Sequence, residues 1–328
     1  MTQQRIASLD LIRTVALLLA TMLLVLDGLQ LNRPSADYVI CIYQALSLMG
    51  VPLFFMLSGA LLLDGEPLPI SQFLSRRLKR LLLPYLFWGT LVYGIFAMTS
   101  TYPDIHNITD ALRNYVPYLL TGKIAPAYWF VFVFIGLYLF TPFMQRALSD
   151  SHLRRLMELI LALWAVWFML RYPQFNSINY REVSAIVYLG FFVAGHYCMR
   201  YLTDECRNRR IGAVGLILSY ILNVLGLVNG FSTTITYVTG AVSLFLLLKS
   251  FTVPCQFTPF ITSTGRYAYA VYLMQVLFID ILCRLNAWDW YPIWLCPIIV
   301  ALVSFAVCWL VAWALDHIRV ISNTLIGI

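Results

Sequence analysis

Charge is scarce in this sequence. Only 11% of its 328 residues are Asp, Glu, Lys or Arg, against 61% hydrophobic residues, a balance that excludes a water-soluble fold because so much apolar surface cannot be enclosed in an aqueous core. Histidine is rarer still, with four in the chain, at 106, 152, 196 and 317. The seven cysteines (41, 198, 206, 255, 283, 296 and 308) make no CxxC pair and lie mostly inside apolar runs, which argues against a disulfide framework and against a zinc site. GxGxxG, Walker and metal-ligand spacings are missing. So is any basic and aromatic module suited to gripping nucleic acid. Any chemistry must come from a few polar groups set among helices compatible with lipid.

What the sequence has in abundance is long apolar runs. Ten fall near residues 11–31, 38–63, 81–99, 127–144, 153–170, 184–202, 211–228, 231–249, 267–283 and 293–315. Each approaches the ~20 residues that cross ~30 Å of hydrocarbon. They predict an all-α fold: a single polytopic bundle of about ten transmembrane helices over 1–328, embedded in a lipid bilayer. The first run is long, is followed at once by further spans and lacks a small-residue cleavage pattern, so it reads as a retained helix. GLVNGFS (226–232) is the one turn signal between the seventh and eighth runs. With the amino terminus in the cytoplasm, 16 of the 22 Lys and Arg residues fall on the inner side and 6 on the outer. That asymmetry predicts both termini inside and accounts for the net charge of +7 without nucleic acid.

Polar residues within these runs are the candidates for a site. The first helix, IASLDLIRTVALLLATMLLVLDGL (6–29), carries Asp10 and Arg13 at one end and Asp27 at the other, with nothing ionisable between. A charge held at the bilayer centre costs roughly 2.5–3.5 kcal/mol even on lenient scales, so these groups belong at interfaces or face a protein interior. Asp10 and Arg13 stand at i and i+3 and would pair. VPLFFMLSGALLL (51–63) places Ser58 and Gly59 where another helix or a thin ligand can approach the backbone. A basic cluster, Arg76, Arg77, Lys79 and Arg80, follows before Pro84. Topology alone explains such a cluster, but guanidinium forks also bind phosphate oxygens.

Taken in order, LDLIRTVALLL (9–19), VPLFFMLSGALLL, RRLKRLLLP (76–84), AYWFVFVFIGLYLFTPFMQ (127–145) and GRYAYAVYLMQ (265–275) resemble the acyltransferase type 3 family of integral membrane O-acyltransferases, which includes enzymes that acetylate bacterial surface polysaccharides. The resemblance implies that an acyl group, usually acetyl, passes from cytoplasmic acetyl-CoA or another acyl-CoA to a hydroxyl of a cell-envelope glycan or lipid-linked glycan, with no metal, in a bacterial inner membrane. It implies that Arg13 matches the family's first-helix arginine, that Arg77 and Arg80, with Arg76 beside them, manage donor charge, and that Ser58 and Gly59 match a small pair. Tyr128 and Trp129 match an aromatic pair that would meet the substrate.

The sequence departs from the family where proton chemistry is expected. Eleven positions after the first-helix arginine the family has a histidine regarded as its base, and this chain has Leu24; in the late motif Gln275 stands where many members have histidine. Eleven residues make three turns plus about 20° and advance about 16 Å, so the two positions share a helix face. Leucine accepts no proton. In one reading Asp27, three residues beyond Leu24 on nearly the same face, is a relocated base; the plainer reading is that it ends the helix at the outer interface. In another, the chain is a catalytically silent relative that binds or moves a lipid-linked glycan or acyl carrier. A substitution in a once-active site is the third. Asp280, in the ninth run, is a further carboxylate with no evident partner and a lesser proton acceptor. His196 could contact the donor or bond a neighbouring helix. In the outer segment 100–126, Tyr102, Tyr115, Tyr118, Asp104 and His106 could stack on and bond a sugar, or form an interfacial aromatic belt.

Overall fold

The structure of the protein, a computed structural model, describes residues 3–32, 37–64, 69–148, 153–171, 185–230 and 233–317. Among the described residues there is no strand. These residues hold twelve α-helices: α1 (Gln3–Asn32), α2 (Asp37–Ser47), α3 (Gly50–Leu62), α4 (Ile70–Met98), α5 (Ile108–Thr121) and α6 (Trp129–Leu148), then α7 (Leu153–Arg171), α8 (Ala185–Tyr201), α9 (Glu205–Asn229), α10 (Thr234–Lys249), α11 (Thr258–Arg284) and α12 (Cys296–Asp316). Every one of the ten apolar runs holds a helix. Among the described residues seven segments are long and apolar enough to cross a bilayer, namely α1, α2 with α3, α4, α6, α9, α11 and α12. That is fewer than the ten the runs suggest. α8 and α10, of 17 and 16 residues, reach only about 24–26 Å at 1.5 Å per residue. α7 carries Arg154, Arg155, Glu158 and Arg171 in 19 residues. The molecule is an all-helical integral membrane protein. The predicted orientation rests in part on Arg33, Arg181 and Arg319, which lie outside the described residues.

Two helices begin elsewhere than the apolar runs suggest, and both matter to the site. The run 38–63 is broken at Leu48–Met49, because Pro52 has no N–H to give the Leu48 carbonyl and Gly50 tucks against α1, where an added Cβ would meet Leu19 Cβ at 2.5 Å. α4 starts at Ile70 rather than near 81. Its basic segment is therefore helical, and Arg77 and Arg80, at i and i+3, share a face. The turn read at GLVNGFS is present: Gly230 takes φ +71 and donates its N–H to Gly226 O.

α1 is the post around which the bundle is built, packed against α2, α3, α10, α11 and α12. Small residues set the closest helix crossings. A Cβ on Gly59 of α3 would sit 1.7 Å from the Phe192 carbonyl oxygen of α8, and one on Gly195 would sit 1.8 Å from the Met56 carbonyl oxygen. The contact is reciprocal, each glycine receiving the backbone three residues before the other. In lipid, where apolar surface gains nothing by leaving the solvent, such backbone contact is a main source of helix association. The α9–α10 pair uses the same device, Gly212 meeting Leu247 and Ser243, with a polar seam of Ser219···Thr239 at 3.0 Å and Asn223, which accepts from Thr236 and donates to Ala45 O at 3.3 Å. Gly59→Ala is expected to destabilise the protein by about 1–3 kcal/mol, the range for a group forced into a filled core. Ser58→Ala, its neighbour, should be close to neutral in stability. Thermal unfolding in detergent, followed for both variants, checks the contrast.

Candidate functional site

At the end of the bundle where α1 and α4 begin, the few charges of the sequence are gathered. Asp10 and Arg13, one turn apart on α1, are bonded at 2.9 Å. The close approach of α11 is what holds them: Arg13 also donates to Gly265 O at 3.4 Å, and a Cβ on Gly265 would come within 2.8 Å of Asp10 Oδ1. Next on α11, Arg266 pairs with Asp316 of α12 at 3.2 Å, and Tyr267 donates to the other oxygen of the same carboxylate at 2.8 Å. From α4 come Arg77, which sits 6.0 Å over the Phe73 ring, and Arg80.

These elements enclose a cavity of about 260 Å³. Arg13, Arg77, Arg80 and Arg266 line it with Ser58, and Phe54, Phe55, Phe130, Phe134, Tyr138, Tyr269 and Tyr272 supply its apolar wall. Arg13 and Arg266 each have a carboxylate partner, whereas Arg77 and Arg80 have none within 4 Å among the described residues. Two uncompensated guanidinium groups beside an aromatic wall suit an amphiphilic anion, with phosphate or carboxylate at one end and an apolar or thin chain at the other. Arg76 points outside, exposed, and is not among the lining residues. Gly59 lies against α8, as described, rather than in the cavity.

A second, smaller space of about 20 Å³ lies further along α1, room for roughly one water. Leu24 and Asp27 line it together, as their spacing predicts, with Ala20, Leu48, Ala127 and the rings of Trp129, Tyr188 and Tyr237. Asp27 is half-buried. Trp129 stacks on Tyr188 at 5.2 Å between centroids. Tyr128 instead is fully buried in the core and donates to Leu273 O at 2.9 Å. Val51 and Tyr272 line both spaces. The partition between them is therefore thin: Tyr272 hangs from Ala127 O by its hydroxyl at 3.1 Å, with its ring edge-on to Phe130 and Phe54 at 4.5 and 6.5 Å.

Other polar residues singled out in the sequence lie elsewhere. Gln275 is completely buried and meets Thr21 of α1 at 2.6 Å, outside both lining sets. His196 is buried in α8 and lines neither space. Asp280 has a partner after all, Arg284 at 2.7 Å, which also donates to Thr99 and Thr101. The outer tyrosines pack on one another: Tyr93 stacks on Tyr102 and Tyr118 meets both at a steep angle, with centroids 4.7–5.6 Å apart. Tyr118 donates to Asp104, and burial, reinforced by that bond and the carboxylate's charge, pushes its phenol up to about 12. It remains a donor throughout the neutral range. Arg266, Asp316, Val51 and Tyr272 are among the site residues the sequence did not single out; Arg266 and Tyr272 lie within GRYAYAVYLMQ, where their spacing of six residues gives no sign that they bracket a cavity.

A family model described as an acyltransferase domain matches residues 6–313. The match takes in every residue that lines either space; Asp316, which stands behind Arg266, lies just beyond it. Comparison with curated proteins and with solved structures gives no match.

Proposed function

The chain belongs to the acyltransferase type 3 family, and from that premise we propose that it is a membrane O-acyltransferase. It takes an acyl group, acetyl by the family resemblance, from acyl-CoA held in the arginine-lined cavity and gives it to a hydroxyl of a cell-envelope glycan or lipid-linked glycan at the Asp27 cleft. The observation that carries this reading is the pair of spaces at successive levels of α1, sharing Val51 and Tyr272 as a wall. In this scheme Arg77 and Arg80 hold the phosphates of the donor by charge-assisted hydrogen bonds, Arg13 is held in place by Asp10, and the thin pantetheine arm runs along Ser58 and the aromatic wall toward Tyr272. Trp129 shapes the cleft on the acceptor side.

The reaction requires an acceptor oxygen to attack the thioester carbon. As the new C–O bond forms, Asp27 takes the hydroxyl proton; the tetrahedral carbon then expels the CoA sulfur, and the proton returns to the thiolate or to water. A carboxylate in this half-buried setting, against apolar Leu24 and the Trp129 ring, replaces the histidine that Leu24 displaces. The arginines would lie on the cytoplasmic side of a bacterial inner membrane, the orientation that the sorting of basic residues supports.

A silent relative that only binds or moves an acyl carrier or lipid-linked glycan is the second reading, and Leu24 in the cleft wall is the observation in its favour. Titration calorimetry of the detergent-solubilised protein with acetyl-CoA, followed by transfer of labelled acetyl to water or to an added glycan, separates the outcomes. Saturable binding with transfer is expected. Binding without transfer, in a protein that gains transfer on Leu24→His, establishes the silent reading, and absence of binding at millimolar acetyl-CoA overturns both donor schemes.

A further inference from the structure

α5, a helix the apolar runs do not announce, runs inward along α4. Tyr93 of α4 donates to Ala111 O at 2.7 Å, Thr90 meets the Tyr115 hydroxyl at 2.6 Å, and Tyr85 donates to Leu119 O at 2.6 Å. As α5 advances from 111 to 119 its partner on α4 falls back from 93 to 85, so the two helices are antiparallel. α6 finishes the descent, with Tyr85 edge-on to Phe132 at 6.0 Å and Phe73 edge-on to Tyr138 at 6.5 Å. Residues 122–128 are the break between the two pieces. There Ile124 packs on Gly89, where an added Cβ would meet its Cδ1 at 3.2 Å. Gly89 stands nine residues before Met98, the end of membrane-crossing α4 away from the arginines, a distance of about 13 Å at 1.5 Å per residue. The break therefore lies at membrane depth.

Irregular backbone at such depth needs its polar groups met by protein, or by water in a cavity it lines. On one side protein meets them. The Gly122 and Lys123 N–H groups both donate to Tyr118 O, Tyr102 donates to Ile124 O at 2.8 Å, Tyr272 donates to Ala127 O at 3.1 Å, and Ile124 and Ala125 are buried. The other side is open: Lys123 and Pro126 are exposed, and Pro126 lines the Asp27 cleft. Lys123 has no carboxylate within 4 Å among the described residues, and Asp104 of the preceding loop is taken by Tyr118.

We infer that the exposed side of the 122–128 break lines a water-filled inlet to the Asp27 cleft, and that Lys123 is the fixed cation of that inlet, placed to take an anionic group, phosphate or carboxylate. A lysine at this depth is costly against hydrocarbon and belongs where it meets water or an anion. The surface turned to lipid is instead the apolar one that ends at Leu120, which is 67% exposed just before the break. Broken helices in membranes put loose backbone and charge beside substrate paths in this way. On the acyl-transfer reading, on which this step alone rests, the acceptor carries a negative charge close to the hydroxyl it offers, since Lys123 and the cleft residues Pro126 and Ala127 belong to one short stretch of chain.

Single cysteines in the full-length protein test the inlet, in phosphatidylcholine nanodiscs, with the exposed Cys206 and Cys255 replaced by serine and the background rate subtracted. The probes are two water-soluble thiosulfonates, one bearing a sulfonate and the other a quaternary ammonium. Pro126→Cys is expected to react with both. Adding Lys123→Gln should slow the sulfonate reagent about three-fold or more relative to the ammonium reagent, and adding Lys123→Arg should not. Leu120→Cys should react about ten-fold slower than Pro126→Cys with either reagent. An unreactive Pro126→Cys would show that there is no inlet, and Leu120→Cys reacting as fast would place the break in bulk water. A reagent ratio unmoved by Lys123→Gln would show that the ammonium group turns away to the surface. Each of these overturns the inference. Should Pro126→Cys fail to fold, Leu24→Cys, another wall residue of the cleft, gives the same readings. With phosphatidylglycerol added to the discs the effect of Lys123 should persist; its loss would assign Lys123 to a lipid headgroup and overturn the claim on the acceptor. None of these rates uses transfer, so they stand or fall apart from the acyl-transfer reading.

Discussion

Replacing Arg77 and Arg80 together by alanine is expected to weaken acetyl-CoA binding about 100-fold or more, with little change in thermal stability. The reasoning is electrostatic. Arg13 and Arg266 share their charge with Asp10 and Asp316, so the positive potential left for a ligand comes from α4. A hydrogen bond to a charged group contributes roughly 1.5–3 kcal/mol, and two of them amount to about 3–6 kcal/mol before allowance for the solvent that reaches Arg80. One factor of ten per 1.4 kcal/mol, discounted for that exposure, gives the expected two decades. Arg76→Ala is the control: the side chain is exposed and outside the cavity, and binding should stay within about two-fold of wild type. Salt offers a second readout. Raising ionic strength from 0.1 to 1 M shortens the screening length from about 10 to about 3 Å, so wild-type affinity should fall while the double variant, already stripped of its charges, changes less. Arg13→Ala is a poorer probe. It strips the Asp10 carboxylate of its guanidinium beside Gly265, and a loss of binding would be mixed with a loss of packing.

Some of this was visible in the residues alone. The i, i+3 spacing of Asp10 and Arg13 predicts their pairing, which the structure holds at 2.9 Å, and the three-residue step from Leu24 to Asp27 predicts that both line one space. Both are local, set by helical geometry, and so within reach of a sequence. What the spacing could not show is long-range. A small residue at 59 announces that something comes close, but its partner, the Phe192 carbonyl, lies more than 130 positions away on a helix with its own small residue at 195. The Val51–Tyr272 partition likewise depends on where the α2–α3 break meets α11. α5 escaped notice for a different reason. Its apolar stripe, Ile108, Leu112, Val116 and Leu120, is only four residues, interrupted in sequence by Pro117 and polar side chains, and its clearest sign is at its start, where Asn107 accepts from the Asp110 N–H at 2.8 Å and the Asp110 carboxylate accepts from the His106 N–H at 3.3 Å. The Asn-x-x-Asp spacing is that of a helix cap, and the same asparagine heads the glycosylation-type triplet Asn107, Ile108, Thr109. The helical reading is the one the hydrogen bonds support.

Asp27→Asn is expected to lower the rate of acyl transfer by about 10²–10⁴-fold, the span general-base catalysis supplies, while acetyl-CoA binding stays as it was. The amide keeps the size and much of the hydrogen bonding of the carboxylate but cannot take up the acceptor's proton. A merely structural Asp27, one turn and a half before the end of α1 at Asn32, would give the opposite pattern: transfer nearly unchanged, with at most a small loss of stability. The substitution is decisive because the arginine-lined cavity and the Asp27 cleft are distinct spaces, so binding and chemistry can fail separately. Leu24→His adds a second arm. The imidazole would enter the same cleft one turn before Asp27 and at the level of Trp129 and Tyr188, and in the Asp27→Asn background it should restore part of the lost rate, with a pH profile rising through the ordinary histidine range near 6.5. Restoration would show that the cleft is a place for a base whichever residue provides it. Failure to restore, in a variant that still binds donor, would mean that the reacting carbon never comes within reach of this wall, and the passage past Val51 and Tyr272 would have to be sought elsewhere.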